Sequence, residues 1–215
     1  MSLAFWMRWL GTNTLSTLSV LVPLPLVMLD APCVLRSAAG LTAAGHTYEI
    51  ADLAAEGFDP RYTAADHLVH RTRAQPPADV LAEQARIDRA DALVFAFPIY
   101  WWSMPGLLKG WIDRVFVNGW AIDYGPDMPV VKKLRHLQVH LLALGAADDG
   151  AFDRHGYAKA MRTQIDYGIF DYCGAQVVTS ELLLDSESGT AQEHLKTALK
   201  LGQQLFTQVE AREEA

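Results

Sequence analysis

The residues Phe97-Pro98-Ile99-Tyr100-Trp101-Trp102 concentrate the chemistry that this chain has to offer. An apolar run, Ala92 to Phe97, meets a proline and then three aromatic residues in succession. Large rings gathered where a buried strand ends can floor a pocket for a flat, conjugated ligand, or they can seal the sheet end as packing. Spacing alone leaves both readings open. Pro98 removes one amide donor and pre-sets the turn, which frees neighbouring amides to face a ligand. The segment from Met104 to Phe116 follows at once. Pro105 suits a first helical turn. Leu107, Leu108, Trp111, Ile112 and Val115 recur at helical spacing and read as core-facing, with Lys109, Asp113 and Arg114 as surface or interface charges.

Apolar runs alternate with amphipathic helical patterns along the chain. The runs are Leu18–Val22, Thr47–Leu53, Ala92–Phe97, Leu137–Leu144 and Gln176–Leu184; helical patterns cover 28–44, 78–89, 104–118, 156–171 and 190–211. Nearly continuous apolar strands are those covered on both faces, and strand–helix alternation implies right-handed crossovers in a parallel sheet. The expected class is α/β: a flavodoxin-like, doubly wound, five-stranded parallel sheet with helices on both faces and ligands at the carboxyl ends of the strands. Gly45 is placed as a C-cap, and His46 opens the next strand. The polar, proline-bearing stretch Gly57 to Pro77 reads as a long surface connection.

With 215 residues, 51% hydrophobic and free of repeats or linkers, the chain reads as one domain spanning 1–215. Eighteen basic residues against 25 acidic ones, a net charge of −7, argue against nucleic acid as a partner. Cys33 and Cys173 form neither a CxxC pair nor a zinc spacing, so no metal site or disulfide framework is expected. Leu15 to Leu29 is apolar and follows Arg8, as in a signal peptide, but Pro23 and Pro25 interrupt it and no small-x-small cleavage site follows. The stretch is too short and broken to span a bilayer, so the expectation is a cytoplasmic protein without stable membrane insertion.

The segment from Leu81 to Tyr124, together with 43–60 and 156–178, resembles the flavodoxin-like NAD(P)H:quinone oxidoreductases of the DT-diaphorase type and their bacterial relatives. The resemblance covers most of the chain from Leu41 onward. It implies hydride transfer from NAD(P)H through a bound flavin, FAD somewhat ahead of FMN, to a quinone or similar acceptor. It assigns Pro98, Ile99, Tyr100, Trp101 and Trp102 to the flavin ring and brings Gln84 near the cofactor. Leu144, Gly145 and Ala146 fall beside the flavin's pyrimidine edge. Tyr124 is assigned to the pocket where nicotinamide and quinone bind in turn. It also implies a homodimer with the active site between subunits.

Two departures from the family pattern stand out. Where the family carries a tyrosine and a histidine after the glycine turn, this chain has Phe152, which has no hydroxyl, and His155, whose spacing is inexact; the Tyr–His relay is not transferred, and His155 is kept only as a catalytic candidate beside Tyr124. The family's first strand ends in His-Pro, followed by a serine, in the loop that holds the flavin phosphate. Here the same spacing lands on Pro23-Leu24-Pro25-Leu26-Val27-Met28, and residues 1–36 are atypical as a whole. Proline removes amides, and Leu, Val and Met donate nothing from their side chains. Weakened flavin binding is therefore expected. A non-catalytic regulatory or interaction subunit of the same fold is the competing reading.

Overall fold

The computed structural model describes residues 15–21, 30–126, 128–187 and 189–206. Its five-stranded parallel sheet consists of β1 (Ser16–Leu21), β2 (Thr47–Asp52), β3 (Ala92–Pro98), β6 (Gln138–Leu144) and β7 (Gln176–Leu183). The spatial order is β2-β1-β3-β6-β7. All four pairings are parallel. The expected class is observed, with the strand order reversing between β1 and β3, where ligands of such sheets bind. β3 is buried along its whole length, as a central strand covered on both faces must be.

Helices α1 (Asp30–Ala43) and α7 (Ala191–Gln204) cover one face of the sheet. They cross closely: a Cβ on Gly202 would stand 2.0 Å from the Ser37 carbonyl, and one on Gly40 would stand 2.4 Å from that of Leu199. α3 (Ala78–Asp88), α4 (Gly106–Val115) and the segment after β6 cover the other face, burying Ile87, Leu108, Trp111, Ile165 and Phe170 against β3 and β6. Among the described residues no helix is long and apolar enough to cross a membrane.

Four local features depart from the sequence reading. The stretch Gly57 to Pro77 contains α2 (Ala64–Thr72), begun by a capping box in which the Thr63 side chain accepts from the Asp66 amide and Asp66 accepts from the Thr63 amide. The box uses a short Asp where Glu or Gln is usual, which hid it. An antiparallel hairpin, β4 (Ile122–Gly125) and β5 (Met128–Lys132), follows α4. The helix expected over 156–171 is three pieces of structure starting earlier: α5 (Asp149–His155), α6 (Tyr157–Met161) and a π-helix over Arg162–Asp171. Arg114, read as a surface charge, is 5% exposed. Its Nε donates to Asp66 (3.1 Å) and its Nη1 to Asp79 (2.6 Å) and to the Asp59 carbonyl (2.7 Å). A guanidinium can be buried there because three oxygens replace its water.

Candidate functional site

β3 and β6 end side by side, and the site grows from their carboxyl ends. The Ile99 amide donates to the Leu144 carbonyl at 2.7 Å, and the Gly145 amide to the Leu183 carbonyl at 3.0 Å. The chain beyond β3 then reverses in a tight turn. Tyr100 and Ser103 exchange both amide–carbonyl bonds at 3.0 Å, with Trp101 (φ +47°) and Trp102 (φ +61°) at its two central positions. Positive φ at both positions is the geometry of a type I′ turn, which normally demands Asn or Gly. Two consecutive tryptophans there are a rare and costly choice, and such strain collects at functional sites. The pair of bonds closing the turn leaves the amides of Trp101 and Trp102 outside it.

Ile99, Trp101 and Trp102 form one wall of a cleft of about 180 Å³; Gly145, Ala146, Ala147 and Phe152 form the other. Gly145 is needed for the close approach. A Cβ at this position would stand 3.0 Å from Leu184 Cδ2 and 3.2 Å from Ile99 Cδ1. Trp101 is 93% exposed, so its ring is offered to something beyond its own fold. Ser103 Oγ donates to Gln164 Oε1 at 2.6 Å and ties the turn to the π-helix. The cleft is thus open-sided and apolar, with a strained aromatic turn on one wall and, on the other, a turn of small residues, Gly145, Ala146 and Ala147, beside Phe152. That combination suits a flat ring held by its faces and by backbone groups at its edge.

Of the residues named from sequence, Ile99, Trp101, Trp102, Gly145 and Ala146 meet at this cleft. Pro98 and Leu144 are the buried strand ends behind it, and Tyr100 closes the turn. Gln84 lies elsewhere: it is buried on α3, and its Nε2 donates to the Val115 carbonyl at the end of α4. His155 does not line the cleft wall; its ring stacks on Tyr157, with centroids 5.1 Å apart. Phe152, noted from sequence only for its missing hydroxyl, is buried and supplies wall surface. Tyr157 and Gln164 were not anticipated, and nothing in their residue types would have singled them out. The stretch Pro23 to Met28 lies outside the described residues.

Tyr124 belongs to a different place. Asn118 clasps it, accepting from the Tyr124 amide and donating to its carbonyl, while the Tyr124 hydroxyl donates to the His70 carbonyl at 3.2 Å. His70 in turn borders a larger cleft of about 480 Å³ between α4 and the π-helix, lined mainly by Ile112, Phe116, Ile122, Ile169 and Tyr172. Two of its titratable neighbours, Tyr62 and Cys173, are displaced upward from their ordinary ranges. Burial, then Asp66, Asp113 and Tyr124, pushes the Tyr62 phenol up. Burial lifts the Cys173 thiol to about 11, which makes it a packing group and a poor nucleophile. Neither cleft contains a metal-ligating cluster among the described residues.

Comparison with known proteins agrees with the geometry. A family model described as "Flavodoxin-like fold" matches residues 35–205. The chain is 27% identical over 190 residues to ribosyldihydronicotinamide dehydrogenase [quinone] of Pongo abelii, covering 78% of this chain and 80% of that protein. It is 31% identical over 127 residues to NAD(P)H dehydrogenase [quinone] 1 of Rattus norvegicus, covering 57% of this chain and 45% of that protein. The structure of an NAD(P)H:quinone oxidoreductase from Methanothermobacter marburgensis superposes with a TM-score of 0.81 at 26% identity, covering 90% of this chain and all of that one. With most of its length matched in sequence and its sheet order observed, the chain belongs to the family of the flavodoxin-like fold.

Proposed function

We propose that this protein is an NAD(P)H-dependent flavin oxidoreductase that passes hydride through a bound flavin to quinones or comparable acceptors. The observation that carries the reading is the left-handed Trp101–Trp102 turn facing the Gly145-Ala146-Ala147 turn across a cleft at the ends of β3 and β6. A turn of small residues whose Gly145 leaves room beside Ile99 and Leu184, next to two amides left outside the tight turn's own bonds, fits the ring of a flavin. When bound, the flavin supplies reversible hydride storage. The chain's own contribution is to hold the ring's edge with backbone groups, exclude water with Ile99, Trp102 and Phe152, and offer the Trp101 face to whatever stacks on the ring. FAD and FMN share the ring, and the walls described above contact nothing that separates them.

The same reading makes the protein a cytoplasmic homodimer. Within one chain the Tyr124 hydroxyl bonds to the carbonyl of His70, a residue of the larger cleft, and Tyr124 is not part of the Trp101 wall, while Trp101 is almost wholly exposed. A two-fold pairing that lays one chain's Tyr124 region over the other's Trp101 would complete a single site and cover both apolar surfaces. Light scattering on the purified protein tests this, and a strict monomer at micromolar concentration contradicts it.

One sequence observation favours a second reading, a regulatory or interaction subunit of the same fold. Pro23 to Met28 brings neither the donors nor the glycine that a phosphate loop needs. Absorbance of the protein as purified, cofactor extraction and mass measurement, and NADH or NADPH oxidation with a quinone decide between the two. Bound flavin with quinone-dependent turnover supports the enzyme. Colourless protein that stays inactive after incubation with FAD or FMN supports the subunit. Flavin bound tightly and stoichiometrically without supplementation would refute the expected weakening.

A further inference from the structure

Trp102 is held by contacts that the cleft alone does not require. Its ring lies parallel to that of Tyr157, with centroids 3.7 Å apart and 10° between planes, and edge-on to Phe152 at 5.6 Å and 82°. Tyr157 is stacked in turn by His155 at 5.1 Å and 28°. Residues two apart on a regular helix do not face one another. Gly156 makes the contact possible: at φ +69° it ends α5 and begins α6, with no atom within 4 Å of where its Cβ would stand. The result is a short ladder, His155 on Tyr157 on Trp102, that terminates at the strained turn. Left-handed backbone at a bulky residue persists only where its surroundings hold it. Here the surroundings are Tyr157 at the Trp102 ring and Gln164 at the Ser103 hydroxyl.

We infer that Tyr157 is a positioning residue for the ligand wall: its flat ring fixes Trp102, and through it the turn's two amides, in the orientation that receives the flavin ring. This deepens the flavin reading and rests on it. A parallel stack at 3.7 Å requires a planar partner, so the role is one of shape and not of volume. Tyr157 and Trp102 are each only partly buried and pack at the margin of the main core, so their contact adds little to the stability of the fold. Phe152 lacks the hydroxyl its place in the family pattern would bring, yet it still braces both rings of the stack edge-on, at 5.6 Å and 5.9 Å.

The test compares the full-length wild type with Tyr157→Phe, Tyr157→Leu and Tyr157→Met. Each is titrated separately with FAD and with FMN by flavin fluorescence quenching, and near-UV circular dichroism reads the aromatic stack. Tyr157→Phe is expected to match the wild type in flavin affinity and in the visible spectrum of the bound flavin, while its near-UV dichroism loses the phenol band. The two ringless variants are expected to bind the preferred flavin roughly three- to tenfold more weakly, the range that loss of an aromatic pair converts to, with a changed visible spectrum of the bound flavin. Their thermal midpoints should stay near that of the wild type. If a ringless variant binds flavin with unchanged affinity and spectrum while the wild type also binds, the inference falls and the flavin reading stands. If neither ringless variant folds, Tyr157 is a core residue and the inference also falls. If the wild type binds neither flavin, it is the underlying reading that fails.

Discussion

Trp101 offers a direct measurement of the strain that the site carries. Its φ of +47° places an L-residue in the left-handed region, which costs roughly 1–2 kcal/mol. Its ring is 93% exposed, so removing the ring forfeits almost no buried area. Replacing it in two steps separates ring from backbone. Trp101→Ala removes the ring and keeps the strain, so its stability should match the wild type within about 0.5 kcal/mol, as for surface changes generally. Trp101→Gly removes both, at the expense of about 0.4–1 kcal/mol of extra entropy in the unfolded chain. The glycine variant should therefore exceed the alanine variant by about 0.5–1 kcal/mol, or a few degrees in thermal midpoint for a chain of this size. Urea denaturation of flavin-free protein with a shared m-value is the assay. With flavin restored, both variants should lose most of the quinone-dependent oxidation of NAD(P)H, because both lack the ring. At Trp102, whose φ is +61°, glycine should likewise exceed alanine, with both variants below the wild type by the partly buried ring they lose. A glycine variant at 101 no more stable than the alanine variant would refute the argument that the turn stores strain at this residue.

Three further outcomes are expected. Arg114→Met leaves Asp66 buried without its cation and should cost about 3–5 kcal/mol in urea denaturation, part of which Asp66→Asn in the same chain restores. Gly145→Val pushes methyl groups at Ile99 and Leu184 and into the cleft; flavin affinity should fall by at least about tenfold, with overpacking costing about 1–3 kcal/mol, read by flavin titration and denaturation. His140, buried in β6, has its pKa pushed down to about 4 by burial, so the fold keeps it neutral while the unfolded chain takes up a proton near the ordinary histidine range. The folded pKa is the lower one, so the contribution is complete above the unfolded value and is lost as pH falls towards 4. Over pH 7 to 4 the wild type should lose about 3 kcal/mol more stability than His140→Gln, and parallel curves would show that His140 is not the group responsible.

The sheet was legible because its inner strands carry their whole story locally. Ala92 to Phe97 is apolar on both faces, and Leu137 to Leu144 is nearly so, interrupted by Gln138 and His140; only a doubly covered strand has use for that. The helices flanking them show the same one-sided periodicity that the structure buries. Arg114 was misread because a helical wheel assigns it by charge, while its burial depends on Asp66, Asp79 and Asp59, 35 to 55 residues away in sequence. The cleft itself was half legible. Ring types and a strand end pointed to Ile99, Trp101 and Trp102, and the family resemblance assigned Gly145 and Ala146. The left-handed turn was not readable, because two tryptophans are the last residues that propensity would put there. Nor was the Tyr157 stack, which depends on one glycine reversing the chain between two helices. Tyr124 was placed by resemblance alone, and in a single chain it is held by Asn118 and His70, away from the Trp101 cleft.

The place of β1 in the sheet has a consequence for synthesis. Ser16 bonds to Asp91, 75 residues further along, and β1 is central, with β2 on one side and β3 on the other. At a usual rate of about 5–20 residues per second, β1 leaves the ribosome roughly 4–15 s before β3 follows it. In that interval it can pair only with β2, and the pair has one open edge and no far-side neighbour. The nascent chain thus carries a half-built sheet through its early life, and the strand that ends at the Trp101–Trp102 turn is also the one that closes the exposed edge. Substitutions that slow the arrival or docking of β3 should therefore register first as lost yield during expression, ahead of any change in the finished protein.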